Sequence, residues 1–196
     1  MLHNEKIDMR VKYTREWTFE ALSKLLEHTP YNQIKISEII AKAGISRATF
    51  YRNFKNKDDI VIIKVRMMFQ EFHQDLVDAF DDPATTDEIY LIQAFFKKID
   101  EEEKVIDTVI KTNLEYTMVE GIVQIIEYYK ERFYQLLKTN KKTEDYIIDI
   151  MASSTWTLLS RWHRSGKEES ATQLVRIYLS AFRSVYIALF EDRSLL

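Results

Sequence analysis

Between Ser46 and Lys57 the chain carries four basic residues and no acid. If this stretch is helical, Phe50 and Phe54 fall on one side and Arg47, Ala48, Thr49, Tyr51 and Arg52 on the other. That outward set suits a phosphate-lined groove. Arginine matches the paired acceptors of guanine, a threonine methyl can meet the methyl of thymine, and serine or tyrosine hydroxyls can hold phosphates. A carboxylate on this face would repel a polyanion, and none is present.

Other chemistries find no comparable support. His3, His28, His73 and His163 are scattered, with no i/i+4 pair and no carboxylate at metal-ligand spacing. Cysteine is absent, which removes thiolate metal sites, disulfides and cysteine nucleophiles. No glycine-rich phosphate loop or nucleophile motif occurs. Neither a metal nor a cofactor is expected, and the chain does not read as an enzyme. Glu101-Glu102-Glu103 reads as a solvated helix start, while Glu115, Glu120 and Asp149 are either surface acids or polar groups of a pocket, which the sequence does not separate. Aromatic residues gather in the later part of the chain. Phe95, Tyr116, Tyr129, Phe133 and Trp156 are the candidates to line an apolar cavity for a small ligand, the alternative being plain core.

The elements that must position these groups are helices. The 196 residues include only 3 Gly and 2 Pro, too few turn formers for a sheet-rich fold. Apolar residues recur at helical spacing over residues 6–28, where Val11, Trp17, Phe19, Leu22, Leu25 and Leu26 fall mostly on one side. Short helices are expected over 37–43 and 47–54, with Gly44 as a left-handed C-cap and Ser46 as an N-cap. A long helix follows over 58–80, opened by Asp58 and Asp59. Asp81-Asp82-Pro83 is the clearest linker, and five more helices are expected over 86–98, 101–111, 114–138, 144–164 and 167–190. The charge is uneven: residues 1–66 hold 13 Lys/Arg against 8 Asp/Glu, and the remainder 15 against 23. A basic module on an acidic body is the layout expected when one end meets a polyanion. No apolar run approaches the roughly 20 residues needed to cross a bilayer. Met1-Leu2-His3-Asn4-Glu5 lacks the apolar core of a secretory leader, so a cytoplasmic setting without membrane contact is expected.

A short helix, a turn at Gly44 and a second short helix outline a helix-turn-helix over residues 37–54. The wording is more specific. Ile34-Lys35-Ile36-Ser37-Glu38-Ile39-Ile40-Ala41-Lys42-Ala43-Gly44-Ile45-Ser46-Arg47-Ala48-Thr49-Phe50-Tyr51-Arg52-Asn53-Phe54-Lys55-Asn56-Lys57 resembles the signature of the TetR/AcrR family of bacterial transcriptional regulators. Its hallmark pieces are Ala43-Gly44-Ile45-Ser46, Thr49-Phe50-Tyr51 and Phe54-Lys55-Asn56-Lys57. The stretch Ser46-Arg47-Ala48-Thr49-Phe50-Tyr51 resembles a Gram-positive branch. The segment Trp162-His163-Arg164-Ser165-Gly166-Lys167-Glu168-Glu169-Ser170 resembles the C-terminal domain of that branch.

The resemblance implies an all-α protein of about nine helices. It divides into a DNA-binding domain at 1–56, a connecting helix at 57–80 and an effector and dimerisation domain at 81–196. It further implies that Arg47, Ala48, Thr49 and Arg52 face base edges of a double-stranded operator, and that Lys35, Ser46, Tyr51 and Lys57 face phosphates. Two positions depart from the family: Lys35 stands where threonine is common, and Asn53 where histidine or tyrosine is common.

The last two helices are apolar over most of their circumference, so each should be buried on two sides. One side packs on the chain's own core, and the other calls for a second copy of the chain. Met151, Leu158, Trp162, Leu179, Phe182 and Tyr186 are the expected interface of a two-fold homodimer. The implied function is a ligand-responsive repressor. The alternative is a coregulator on the same scaffold, its body binding a protein.

Overall fold

The computed structural model describes residues 9–79, 88–133 and 141–190. Within them lie nine α-helices and no strand. These are α1 (Met9–Leu26), α2 (Ile36–Ala43), α3 (Arg47–Asn53), α4 (Asp58–Ala79), α5 (Glu88–Glu101), α6 (Glu103–Thr112), α7 (Tyr116–Phe133), α8 (Lys141–Arg164) and α9 (Ala171–Phe190). A 3-10 turn, Tyr31–Gln33, joins α1 to α2. The proposed linker at Asp81-Asp82-Pro83 lies outside the described residues. None of the described helices is long and apolar enough to cross a membrane.

The first three helices share one small core. Phe19 and Leu22 of α1, Ile39 of α2, and Phe50 with Phe54 at α3 are all buried. Trp17, which the periodicity places with this apolar side, instead lies exposed and stacks on Tyr13 at 6.1 Å. Gly44 ends α2 at φ 66°, a left-handed geometry that costs a glycine no Cβ clash. Ser46 then caps α3 by accepting the Thr49 N–H at 3.0 Å. The bend into α4 is tied by Asn56, which accepts the Asp59 N–H at 3.0 Å, while Asp59 accepts the Lys55 N–H at 2.7 Å.

Helix α4 runs from this unit into the body, where it packs on α5, α6 and α7. Helix α8 lies on α7, and α9 lies on α5. Ion pairs fasten α4 to α1: Lys64 to Glu16 and Lys12 to Glu71, each at 3.1 Å.

Helix α9 begins at Ala171, four residues later than expected. Both Gly166 and Lys167 adopt positive φ, 81° and 58°, and two left-handed residues in succession cannot start a right-handed helix. The true start is a capping box. Gln173 accepts the Ser170 N–H at 2.9 Å, and Ser170 accepts the Gln173 N–H at 3.3 Å.

Candidate nucleic-acid interface

Helix α3 sorts its residues by depth. Phe50 and Phe54 are buried, their rings 5.2 Å apart. Ser46, Arg47, Ala48, Tyr51 and Arg52 are exposed, and Thr49 is half-buried. The Arg47 guanidinium lies 5.6 Å from the centre of the Tyr51 ring, one turn further along. Such stacking limits the directions the arginine can sample and lowers the entropy lost on binding. The hydroxyls of Ser46 and Thr49 are 2.8 Å apart. Asn53, the departure noted above, donates its side-chain amide to the Thr49 carbonyl at 2.8 Å, so it is turned back onto its own helix.

The acids flanking this surface are engaged with neighbouring donors. Glu38 accepts the Lys35 N–H at 2.8 Å, Asp59 holds the Lys55 N–H, and Asp58 accepts the Tyr31 hydroxyl. Lys35 is exposed at the start of α2. Lys57 differs from the rest of the expected set, because it is half-buried and directed at the turn before α2.

The residues expected around a ligand differ in burial. Phe95, Tyr129 and Trp156 are buried, but Tyr116 is 51% exposed on the surface. The Phe133 side chain lies outside the described residues. Phe95 packs on Phe72 and Phe69 at ring distances of 5.5 and 6.2 Å, so its burial is ordinary core. Beside it, the apolar cleft between Leu91, Ile122 and Tyr178 has a volume of about 40 Å³. That is space for water, not for a metabolite. Tyr129 is bonded to His73 Nδ1 at 3.2 Å, and burial holds the His73 imidazole below its usual pKa. A larger open groove of about 340 Å³ lies between α4 and α5, with Phe72, Leu76, Tyr90 and Ala94 in its lining.

The residues expected at a dimer face lie at different depths in the protomer. Met151 and Trp162 are buried within the protomer, where the Trp162 indole donates to the Glu169 carbonyl at 2.8 Å. Both belong to the protomer's own core. Leu158 and Leu179 are half-buried, and the side chains of Phe182 and Tyr186 lie outside the described residues. Among the described residues of α8 and α9, the exposed large apolar groups are Tyr146 (60% exposed), Ile150 (61%) and Ile177 (49%). Tyr146 and Ile150 are spaced i/i+4 on the face adjacent to the Met151 stripe.

A basic three-helix unit containing a helix-turn-helix thus stands on a long helix that enters an all-helical body. The family described as bacterial regulatory proteins, tetR family, matches residues 19–62, from the middle of α1 into α4. That match supports a tetR-family regulator with a DNA-binding helix-turn-helix over this segment. It is similar to the uncharacterized HTH-type transcriptional regulator YxbF of Bacillus subtilis (strain 168), with 34% identity over 91 residues. The match takes in 46% of this chain and spans 23% of that relative's length. Lin0861 from Listeria innocua has a similar fold over 93% of this chain and 96% of its own, with TM-score 0.78 and 17% identity. The fatty acid degradation regulator FadR from Bacillus halodurans matches 84% of this chain and 92% of its own, with TM-score 0.57 and 18% identity. The dihydroxyacetone kinase operon activator DhaS matches 91% of this chain and 96% of its own, with TM-score 0.56 and 17% identity. Identities this low carry the architecture alone.

Proposed function

We propose that the chain acts in the cytoplasm as a homodimeric repressor on a pseudo-palindromic operator. Two α3 helices would enter successive major grooves about 34–36 Å apart. The observation that carries this reading is the exposed α3 face, which joins Arg47, Arg52 and Tyr51 with no acid between Ser46 and Lys57. Gel retardation of the promoter region beside its own gene tests it. Arg47→Ala is expected to cost about 1–3 kcal/mol and to relax preference at one base pair per half-site, because it removes a bidentate base contact. Equal loss on all sequences would show that Arg47 meets phosphate instead.

The dimer is proposed to form through the outer faces of α8 and α9. Ile150→Asp should yield a folded monomer in sedimentation, since this side chain is exposed in the protomer. Met151→Asp should unfold the chain instead, because it buries a charge. A dimer that survives Ile150→Asp and Ile177→Asp together would place the interface elsewhere.

Entry of a small apolar or aromatic effector beside Phe95 would require α5, α7, α8 and α9 to part, because the cleft there has a volume of only about 40 Å³. The small volume of that cleft favours a second reading, in which the body binds a partner protein and the chain serves as a coregulator. Retention of the promoter fragment by the chain alone at low salt supports the repressor. No retention supports the coregulator.

A further inference from the structure

Lys57 stands at the entry to α4, and its ammonium group is spent on the chain itself. It donates to the Tyr31 carbonyl at 2.6 Å and the Ile34 carbonyl at 3.1 Å, and lies 4.2 Å from the centre of the Tyr31 ring. The Tyr31 hydroxyl in turn donates to the carboxylate of Asp58, the first residue of α4. Burial, and then the Asp58 carboxylate, push the Tyr31 phenol above its usual pKa, so it remains a donor. These contacts close on one another: two consecutive residues at the start of α4 grip the turn that leads directly into α2.

The location gives the cluster its consequence. Residues 31–34 precede α2, and α2 with α3 forms the helix-turn-helix, whereas α4 leads into the body. The short bend at residues 54–57 connects α3 to α4 covalently, but it fixes only one end of the reading unit. The Tyr31 turn supplies a second attachment at the opposite end. With both ends held, α3 has one orientation relative to α4, and hence relative to its copy across a dimer.

We infer that Tyr31, Lys57 and Asp58 form a clasp that positions the helix-turn-helix on α4, and that Lys57 supports DNA binding through this clasp rather than by neutralising a phosphate. The inference rests on DNA recognition through α3. Its signature is separable, because a phosphate contact sets the salt dependence of binding and a positioning contact does not.

The experiment compares Tyr31→Phe, Lys57→Met and, as a control, Lys35→Ala in the full chain. Operator affinity is measured across a salt series, on specific and on unrelated duplexes. Tyr31→Phe and Lys57→Met are expected to weaken operator binding about ten-fold, the scale of one hydrogen bond to a charged group. They should leave the slope of log K against log salt unchanged and lower the ratio of specific to non-specific binding. Lys35→Ala should reduce the slope by about one per protomer and leave that ratio alone. If Lys57→Met reduces the slope by about one per protomer while Tyr31→Phe binds as the parent does, the clasp is overturned and Lys57 is a phosphate ligand. Amide exchange on the DNA-free protein decides the matter without an operator. Tyr31→Phe should speed exchange in α2 and α3 several-fold and leave α7 and α8 untouched. Unchanged exchange in α2 and α3 overturns the clasp, whatever becomes of DNA binding.

Discussion

Phe50→Ala should melt the reading unit while the body stays folded. Phe50 is fully buried, with its ring against Phe54 and edge-on to Tyr51 at 5.3 Å. Helix α3 has seven residues, well short of the ~12–15 at which an isolated helix becomes even marginal in water. Its stability therefore comes from the shared core with Phe19, Leu22 and Ile39. Removing a buried phenylalanine costs about 3–5 kcal/mol, against a total of about 5–15 kcal/mol for a whole domain. Binding to every DNA sequence should fall together. Thermal melting followed by amide exchange should show early loss of protection in α2 and α3, with α7 and α8 protected. Tyr51→Phe, which keeps the ring and removes one hydroxyl, should weaken binding slightly on all sequences alike. If Phe50→Ala melts at the parent's temperature with α3 still protected, the depth assignment of α3 is wrong.

That prediction draws on the part of the molecule most legible in the sequence. Gly44 and Ser46 act within a few residues of themselves, so the ends of α2 and α3 follow from local chemistry. The start of α9 shows how one local signal can mask another. Lys167-Glu168-Glu169 looks like a charged helix opening, yet the reciprocal Ser170 and Gln173 bonds set the start at Ala171, four residues later. Periodicity finds the apolar stripes of α8, but one residue is about 100° of rotation. It cannot tell the stripe facing the protomer's core, Met151 and Trp162, from the one left outside, Tyr146 and Ile150. Aromatic residue types likewise do not distinguish a lined cavity from a packed core. Phe95 is core because Phe69 and Phe72 reach it from α4, a contact set by tertiary packing. The inward turn of Lys57 has the same origin, since its acceptors lie 23 and 26 residues earlier in the chain.

Gly121→Ala tests the crossing through which the body holds α4. Alanine is the better helix former by about 1 kcal/mol, so in an isolated α7 the change would stabilise. Here the position is occupied from outside. A Cβ on Gly121 would fall 2.2 Å from the Phe69 ring of α4, and Phe69 is itself buried against Phe95. The ring cannot swing into solvent, so α4 or α7 must shift. Overpacking of this kind costs about 1–3 kcal/mol, which outweighs the gain in helix propensity. The expected result is a lower melting temperature for Gly121→Ala and recovery of part of it in the double variant Gly121→Ala/Phe69→Leu, where the smaller side chain leaves room. A double-mutant cycle should return a coupling energy well above the ~0.3–0.5 kcal/mol scatter of independent sites. Because α4 carries the reading unit, the single variant should also change operator affinity, although residue 121 lies far along the chain from α3. A Gly121→Ala protein as stable as the parent, with no coupling to Phe69, would mean that α4 and α7 do not cross at this close approach.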